Sequence, residues 1–465
     1  MPVPPRFLPL VSATAAVADR FVAAGHELHL VGGPVRDALV GLDVAASADL
    51  DYATSAAPDA TLALVSGWAE AVWTQGQRFG TIGFLAGGVR HEVTTYRAEA
   101  YSPDSRNPEV VFATDIEADL SRRDFTVNAM ALRLGAGSDL TLVDPFGGVE
   151  DLLAKRLRTP LSPDVSFTDD PLRMLRAARF LARFDLTPDP ELVEAVGRLH
   201  ERLAMISAER IRDELDRLIV TEPPGLGRGL WFLVHTGLAS MFLPELPGLE
   251  LEQDPIHQHK DVLAHTIAVV ENTSGDRILR LAALFHDIGK PKTRAIGPKG
   301  VSFHHHEVVG ARMTRDRMRA LKYPNEDIAA VTELVNLHLR FHTYKMGWTD
   351  AAVRRYVRDA GPLLDRLNEL TRCDCTTRNP RRAAALARRM DDLEARIAEL
   401  RAEEELAAIR PDLDGVAIME HLGIGPGRVV GEALAHLLDQ RMEDGPLDPN
   451  EARRRLDAWW AARRD

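Results

Sequence analysis

Two periods of apolar residues divide the chain. Up to about residue 145, short β-rich runs alternate with glycine turns. "HELHLVGG" (26–33) reads as a strand entering a glycine turn, and "ADLDYAT" (48–54) and "GVRHEVTTYR" (88–97) alternate as half-buried strands do. From about 146 the period becomes helical. "DDPLRMLRAARFLARF" (169–184) and "SAERIRDELDRLIV" (207–220) each follow a capping residue. Beyond about 225 nearly everything reads as helix, with Pro/Gly breaks near 222–227, 244–248, 297–300 and 424–427. Residues 383–406 predict one long charged amphipathic helix, read as a solvated or helix-packing segment. No repeat or low-complexity tract interrupts the pattern.

The length, 465 residues, predicts about three domains at roughly 150 residues each. At 45% hydrophobic and 27% charged, the composition is that of a folded chain able to bury its own cores. Cys373 and Cys375 are the only cysteines and stand too close to pair, which fits a reducing compartment and a cytoplasmic location. No apolar run approaches membrane-spanning length, so no membrane partner is expected. Arg6 and the run Leu8–Ala18 loosely imitate a secretory leader. The charged region is thin, and Asp19, Arg20 and Phe21 continue a helical pattern, so a helix is expected there. The net charge of −12 excludes a uniformly basic nucleic-acid binder but not a local basic surface.

The first chemical constellation lies in the β-rich part. Gly32 and Gly33 sit between a strand and a helix that Pro34 opens, where the backbone can approach a phosphate; Arg36 stands in the first helical turn. Asp49 and Asp51 occupy positions i and i+2 of a strand and so share a face. Their repulsion suits a pair of Mg²⁺ ions of the kind that serve in-line phosphoryl transfer. Glu92 is a candidate third carboxylate from a neighbouring strand. "RRDFTVNAMA" (122–131) adds Arg122, Arg123, Asp124 and Asn128, and cations beside an acidic pair make sense around a polyanion. "DPFGG" (144–148) reads as a structural turn.

The second is a stripe, Asp170, Arg173, Arg176 and Arg179, recurring every three residues. Asp accepts and Arg donates, so together they can pair with the Watson–Crick edge of a base. Taken alone the stripe reads first as an ion-pair ladder on a solvated face, with Leu172, Leu175 and Phe180 on the core side.

Six motifs in one order over residues 30–215, "VGGPVRDALVG…ADLDYAT", "EVTTYR", "RRDFTVNAMA", "DPFGG", "DDPLRMLRAARFLARF" and "SAERIRDEL", resemble the class II, bacterial-type tRNA nucleotidyltransferase and poly(A) polymerase family. The resemblance implies a polymerase-β-like head, a helical neck, and a helical body and tail. It implies addition of C, C and A to the 3′ end of tRNA from CTP and ATP without a template. It assigns Asp49 and Asp51 to the catalytic metals, Gly33, Arg36 and Arg123 to the nucleotide, and Asp170, Arg173, Arg176 and Arg179 to base reading and phosphate orientation. One departure is Asp169, where the family usually has Glu. Relatives that add only CC lack a flexible loop, which Arg97–Ser121 supplies here, so CCA addition is favoured over CC addition. A poly(A) polymerase resembles the head equally well.

The third constellation is histidine-rich. His265 falls on a helix, and His286 and Asp287 stand together at a helix end. His304, His305, His306, His338, His342 and Asp374 follow. Imidazoles with carboxylates suit Mn, Fe, Ni or Zn. The set resembles the HD phosphohydrolase domain, which implies His265, His286, Asp287 and Asp374 as ligands of a divalent transition metal. His306 and His338 match positions that bind a second ion in some members. Such domains hydrolyse phosphomonoesters or phosphodiesters through a metal-activated water.

The whole predicts an α+β chain: a nucleotidyltransferase head (1–148), a helical neck (149–225), an HD domain (226–380) and a helical tail (381–465). Expected partners are tRNA, CTP and ATP, with no DNA. Arginines in "RMTRDRMRALK", "RNPRRAAALARRM" and "RRRLDAWWAARRD" are candidates for phosphate contact, and also read as ordinary amphipathic helices. Trp459 and Trp460 are expected to cap a core. The rival from another class is a metal phosphohydrolase whose head only binds nucleotide, which the intact Asp49 and Asp51 argue against.

Overall fold

The computed structural model describes residues 7–42, 49–100, 109–135, 140–251, 261–297, 300–343, 348–375, 380–404 and 410–463. The chain divides into two units, Met1–Phe242 and Leu243–Asp465. The first runs α1 (Leu8–Ala23), β1 (Leu28–Val31), α2 (Gly33–Leu39), β2 (Asp49–Thr54), α3 (Pro58–Val65), β3 (Ala71–Trp73), β4 (Thr81–Ala86), β5 (Val89–Thr95), β6 (Arg97–Ala100), β7 (Glu109–Phe112), α4 (Ile116–Ser121), β8 (Ala131–Leu134) and β9 (Leu140–Val143). It continues as α5 (Gly148–Leu153), β10 (Arg156–Leu157), α6 (Pro163–Asp169), α7 (Leu172–Arg183), β11 (Thr187–Pro188), α8 (Pro190–Leu199), α9 (Ala208–Ile219), α10 (Gly225–His235) and α11 (Leu238–Phe242).

Seven strands form one sheet in the order β3-β4-β5-β2-β1-β8-β9. Only β2 and β5 pair in parallel; the other neighbours are antiparallel. One face is apolar. Leu50, Tyr52, Phe84 and Val93 alternate inward and pack with Leu10, Val17 and Phe21 of α1. The N-terminal segment is therefore an amphipathic helix of this core, in line with the helical reading of the sequence. β6 and β7 form a separate hairpin in the region read as a flexible loop, whose residues 101–108 lie outside the described residues.

After α5 the unit is helical except for one parallel two-residue pair, β10 with β11. α7 lies against α9 and α10. Its apolar face buries Leu172, Leu175, Ala178, Leu181 and Ala182. Ser207 caps α9, its hydroxyl accepting from the Arg210 amide. Gly225 lets α10 approach the α7 backbone, since a Cβ there would lie 2.1 Å from the Ala182 carbonyl oxygen.

The second unit runs α12 (Val262–Asn272), α13 (Arg277–Phe285), α14 (Lys290–Thr293), β12 (Arg294–Gly297), β13 (Gly300–Phe303), α15 (His306–Ala320), α16 (Asn325–Leu337), α17 (Arg340–Thr343), α18 (Asp350–Ala360), α19 (Leu364–Asp374), α20 (Pro380–Glu404), α21 (Gly415–Leu422), α22 (Arg428–Asp444) and α23 (Pro449–Ala462). The hairpin β12–β13 departs from the all-helix reading beyond 225. Gly297 and Gly300 close it, Gly300 at φ 98°, a turn conformation that favours glycine. α20 buries Met390, Leu393, Ile397 and Leu400 along one stripe. α21–α23 share a small core of Ile418, Ala433, Leu437 and Leu456, and Trp459 packs against it, as expected of a core tryptophan. Among the described residues no helix is long and apolar enough to cross a membrane.

Gly225→Ala should lower stability in chemical denaturation by about 2–3 kcal/mol, because the clash is with backbone. Gly197→Ala, on α8 with nothing within 4 Å of the added carbon, should instead be neutral or raise it by up to about 1 kcal/mol. Equal effects at the two positions would contradict the α7–α10 packing.

Candidate active site and candidate metal centre

β2 alternates, with Asp49 and Asp51 exposed and Leu50 and Tyr52 buried. The parallel register sets Asp51 opposite Glu92 and Asp49 opposite Arg90. Three carboxylates thus share the open face of the sheet. Although Asp51 is open to solvent at its surface, the protein packed around its carboxyl, then Glu92, push it above its usual value, with Arg123 opposing and Asp49 adding to the effect. An all-oxygen donor set under mutual repulsion is what a hard divalent cation relieves.

Beside this face, Gly32 adopts φ 76°, and a Cβ there would stand 3.4 Å from Arg123 Nη1. Arg123 Nη2 donates to Asp119 Oδ2 at 3.1 Å. Asp119 is almost fully buried and also accepts from the Arg97 amide (3.3 Å) and Arg122 Nε (3.5 Å). Burial alone would raise the Asp119 carboxyl, but Arg123 and Arg122 outweigh it and hold it below the usual range.

The stripe is tied to other elements rather than to itself. Asp170 stands just before α7, accepting from the Leu172 amide (3.1 Å), with Arg210 at 3.4 Å. Arg173 donates to Ser166 Oγ (3.0 Å) and the Arg122 carbonyl (2.5 Å). Arg176 donates twice to Asp124 Oδ2 (2.8 and 2.5 Å), and Arg179 donates to Glu214 Oε2 (2.6 Å). Asn128 links the set: its amide donates to Asp124 (2.9 Å) and its oxygen accepts from Arg36 (2.5 Å). Arg36 is buried, also bonds Asp37, and lies over the Phe184 ring at 4.2 Å. The structure therefore brings Arg36, Asn128, Asp124 and Arg176 into one chain of hydrogen bonds, and Arg179 meets it through Glu214, whose Oε1 lies 3.8 Å from Arg176 Nη1. The pattern arguments missed Asp119, Ser166, Phe184 and Glu214. "SAERIRDEL" held Glu214 in view, but no local signal paired it with Arg179.

In the second unit, two groups of ligand-type atoms assemble, each within 4.8 Å: His265, His286 and Asp374, and Asp287, His306 and His338. His265 Nε2 lies 2.9 Å from Asp374 Oδ1 and 3.5 Å from Asp287 Oδ2; His306 Nε2 lies 3.4 Å from Asp287 Oδ1 and 3.3 Å from His338 Nε2. His286, His306 and His338 each make a 2.7 Å contact from Nδ1 to the carbonyl three residues earlier. With Nδ1 the donor, Nε2 is the ring atom that faces the cluster. His286 Nε2 is buried and makes no hydrogen bond, although it lies 3.2 Å from Asp287 Oδ2. A fully buried orphan nitrogen among carboxylates fits a metal ligand. Burial alone would lower the His286 imidazole, but Asp287 and Asp374 outweigh it and raise it to about 10. Burial, then His286, lower His338 to about 4. Lys290 Nζ, 2.5 Å from Asp287 Oδ2, is a neighbour the motif reading passed over. His304 and His305 are exposed, and His342 is half-buried outside both groups. In "RMTRDRMRALK", Arg317 is paired with Glu245, whereas Arg312, Arg315 and Arg319 are exposed.

Residues 28–158 match the family described as the Poly A polymerase head domain, 185–249 the probable RNA and SrmB-binding site of polymerase A, and 262–400 the HD domain. Over 448 residues the chain is 36% identical to an A-adding tRNA nucleotidyltransferase of Deinococcus radiodurans, an alignment covering 92% of this chain and 95% of the relative. It is 36% identical over 244 residues to a CCA-adding enzyme of Lactobacillus gasseri, covering 52% of this chain and 57% of that one. It is 37% identical over 228 residues to a CCA-adding enzyme of Bacillus subtilis, covering 49% and 53%. The chain thus spans about half the length of those two relatives. In fold it is similar to the crystal structure of a Bacillus stearothermophilus CCA-adding enzyme in complex with CTP (TM-score 0.68, 22% identity, 99% of both chains). It is also similar to a Thermotoga maritima CCA-adding enzyme complexed with tRNA (TM-score 0.62, 18% identity, 98% and 96% of the chains).

Two tests address these centres. After equilibration with Mn²⁺ and desalting, the protein should retain metal, and His286→Ala and Asp287→Ala should weaken binding on the order of 100-fold or more with helical circular dichroism unchanged. Retention by both variants would rule the centre out. Arg176 holds Asp124 below the usual carboxylate range against the opposing effect of burial. That stabilisation is present above the unfolded value of about 3.9 and lost as pH falls through the folded value. Asp124→Asn should therefore cost about 2 kcal/mol at neutral pH, discounted because the Arg176 side chain is 31% exposed, and should flatten the acid limb of the stability profile.

Proposed function

This chain belongs to the family of bacterial-type tRNA nucleotidyltransferases and poly(A) polymerases, and we propose that it adds or repairs the 3′-terminal CCA of tRNA from CTP and ATP without a nucleic-acid template. The observation that carries this reading is the set of three carboxylates, Asp49, Asp51 and Glu92, on the open face beside Gly32 and Arg123. In the reaction, the tRNA 3′-hydroxyl oxygen bonds to the α-phosphorus, the bond from that phosphorus to the bridging oxygen breaks, and pyrophosphate leaves. Asp49, Asp51 and Glu92 would hold Mg²⁺, which when bound activates the hydroxyl and steadies the triphosphate. The chain itself supplies the rest. Gly32 and Gly33 admit the phosphates to the backbone, and Arg122 and Arg123 offset their charge. Asp170 and Arg173 present the base-reading edge, with Arg173 fixed by Ser166 and the Arg122 carbonyl. Asp124 and Glu214 hold Arg176 and Arg179, so the reading edge is set by side chains rather than by a template.

On this reading the head spans 1–148, the neck 149–225, the HD domain 226–380 and the tail 381–465. The HD centre, with His265, His286, Asp287 and Asp374 as first ligands, would hydrolyse phosphate esters. A second reading is addition of the terminal A alone. It is favoured by the Deinococcus relative, which is named as A-adding and aligns over 92% of the chain.

A tRNA transcript ending at the discriminator base, with Mg²⁺, should gain CC with CTP and CCA with CTP and ATP. Asp51→Asn should reduce both by about three orders of magnitude. Extension only of transcripts already ending in CC would favour the second reading. A long A tail would make the protein a poly(A) polymerase, and no extension would leave the HD centre as the active one.

A further inference from the structure

The open face of the sheet carries more than the three acids. Opposed residues on neighbouring strands lie on the same face. The register sets Asp51, Glu92, Gly83 and Trp73 in one row across β2, β5, β4 and β3, and Asp49, Arg90, Leu85 and Ala71 in the next. Gly83 is essential to that row. A Cβ on it would stand 2.5 Å from Trp73 Nε1 and 2.9 Å from Trp73 Cδ1, so the indole lies across β4 where a side chain would otherwise rise. Trp73 Nε1 is buried there with no hydrogen-bond partner. Arg90 covers the ring, its Cζ 5.0 Å from the centroid. The contact orients the guanidinium without using its N–H groups. The carboxylate nearest to it is distant, with Arg90 Nε 3.9 Å from Asp49 Oδ1 and both side chains at least half exposed, so the pair is weak and the donor edge stays available.

The position of this strip gives it a role. The nucleotide-side elements, Gly32 at the end of β1 and Arg123, flank β2 on one side, while Arg90 and Trp73 extend from β5 to β3 on the other. In-line transfer needs the attacking and leaving oxygens on opposite sides of the α-phosphorus. With the triphosphate on the Gly32 side, the attacking strand arrives from the Arg90 side. Resting on the nucleotidyltransferase reading, we propose that Arg90, held by Trp73 over Gly83, binds the last phosphodiester of the tRNA acceptor strand and so positions its 3′-hydroxyl against the carboxylates. Arg90 is a positioning residue for the primer, not for the incoming nucleotide.

The test compares Arg90→Ala and Arg90→Lys with the unaltered protein on a tRNA transcript lacking its terminal nucleotides. Arg90→Ala should lower kcat/KM for the tRNA about tenfold, the order of one charge-assisted hydrogen bond, and leave the KM for CTP and ATP within about twofold. Binding of a fluorescent acceptor-stem hairpin in EDTA should weaken about fivefold at 0.1 M salt. The slope of its log affinity against log salt should fall by about 0.7, the share of one phosphate contact on a single strand. Arg90→Lys should restore the slope. Trp73→Ala should give a smaller loss in the same direction, which Trp73→Phe restores. A raised nucleotide KM with unchanged primer kinetics would assign Arg90 to the triphosphate and overturn the proposal, as would an unchanged salt slope. If the unaltered protein extends no primer, it is the functional reading that fails, and this inference falls with it.

Discussion

Like charges on adjacent strands repel, and the parallel pairing of β2 with β5 imposes that repulsion by setting Asp51 opposite Glu92. The other face of the same strands explains why the pairing holds. Leu50, Tyr52 and Val93 point into the core with Phe84 and the helix α1. A slip of one residue would turn those side chains to solvent and bury the acids, so the apolar face fixes the register of the polar one. The protein packed around the Asp51 carboxyl, then the field of Glu92, raise it above its usual value although its surface is open, and a cation would relieve that repulsion.

The same trade recurs among the arginines. Arg36, Arg173 and Arg179 are nearly fully buried, as are Asp119, Asp124 and Glu214. Buried ion pairs add little to stability against an apolar alternative, but removing one partner is costly. The network is therefore better understood as a device of orientation. Each guanidinium has its direction set by a carboxylate, carbonyl or hydroxyl on another element. The guanidinium groups are thereby held in fixed directions by side chains and backbone of the protein alone.

Much of this was legible in the sequence. Period-two alternation located β2 and β5, the run into a glycine turn located β1, and the i, i+2 spacing put Asp49 and Asp51 on one face. Helical period and capping residues located α7 and α9. The resemblance to the HD domain named all six residues that assemble in the second unit, among a larger set of histidines that the residues alone left open. What was not legible depends on pairing between distant positions. Arg179 meets Glu214 across 35 residues and Arg176 meets Asp124 across 52, separations that no local pattern reports. The β12–β13 hairpin escaped because two short strands around a glycine turn are weaker signals than the helices on either side. Arg90 and Trp73 escaped because nothing in either segment announces that a glycine between them leaves room for the ring.

The two halves of the histidine cluster close very different lengths of chain. His306 opens α15 and His338 follows α16, so one helical hairpin brings that pair together. His265 and Asp374 are 109 residues apart, on α12 and α19. Closing a long loop costs more chain entropy than closing a short one, so an ion shared between the two halves would act as a clasp on the wide contour rather than on the hairpin. With an ion held there, the hairpin would be the part that closes without it and the wide contour the part that depends on it, so removing the ion would loosen α12 and α19 while α15 and α16 stay paired.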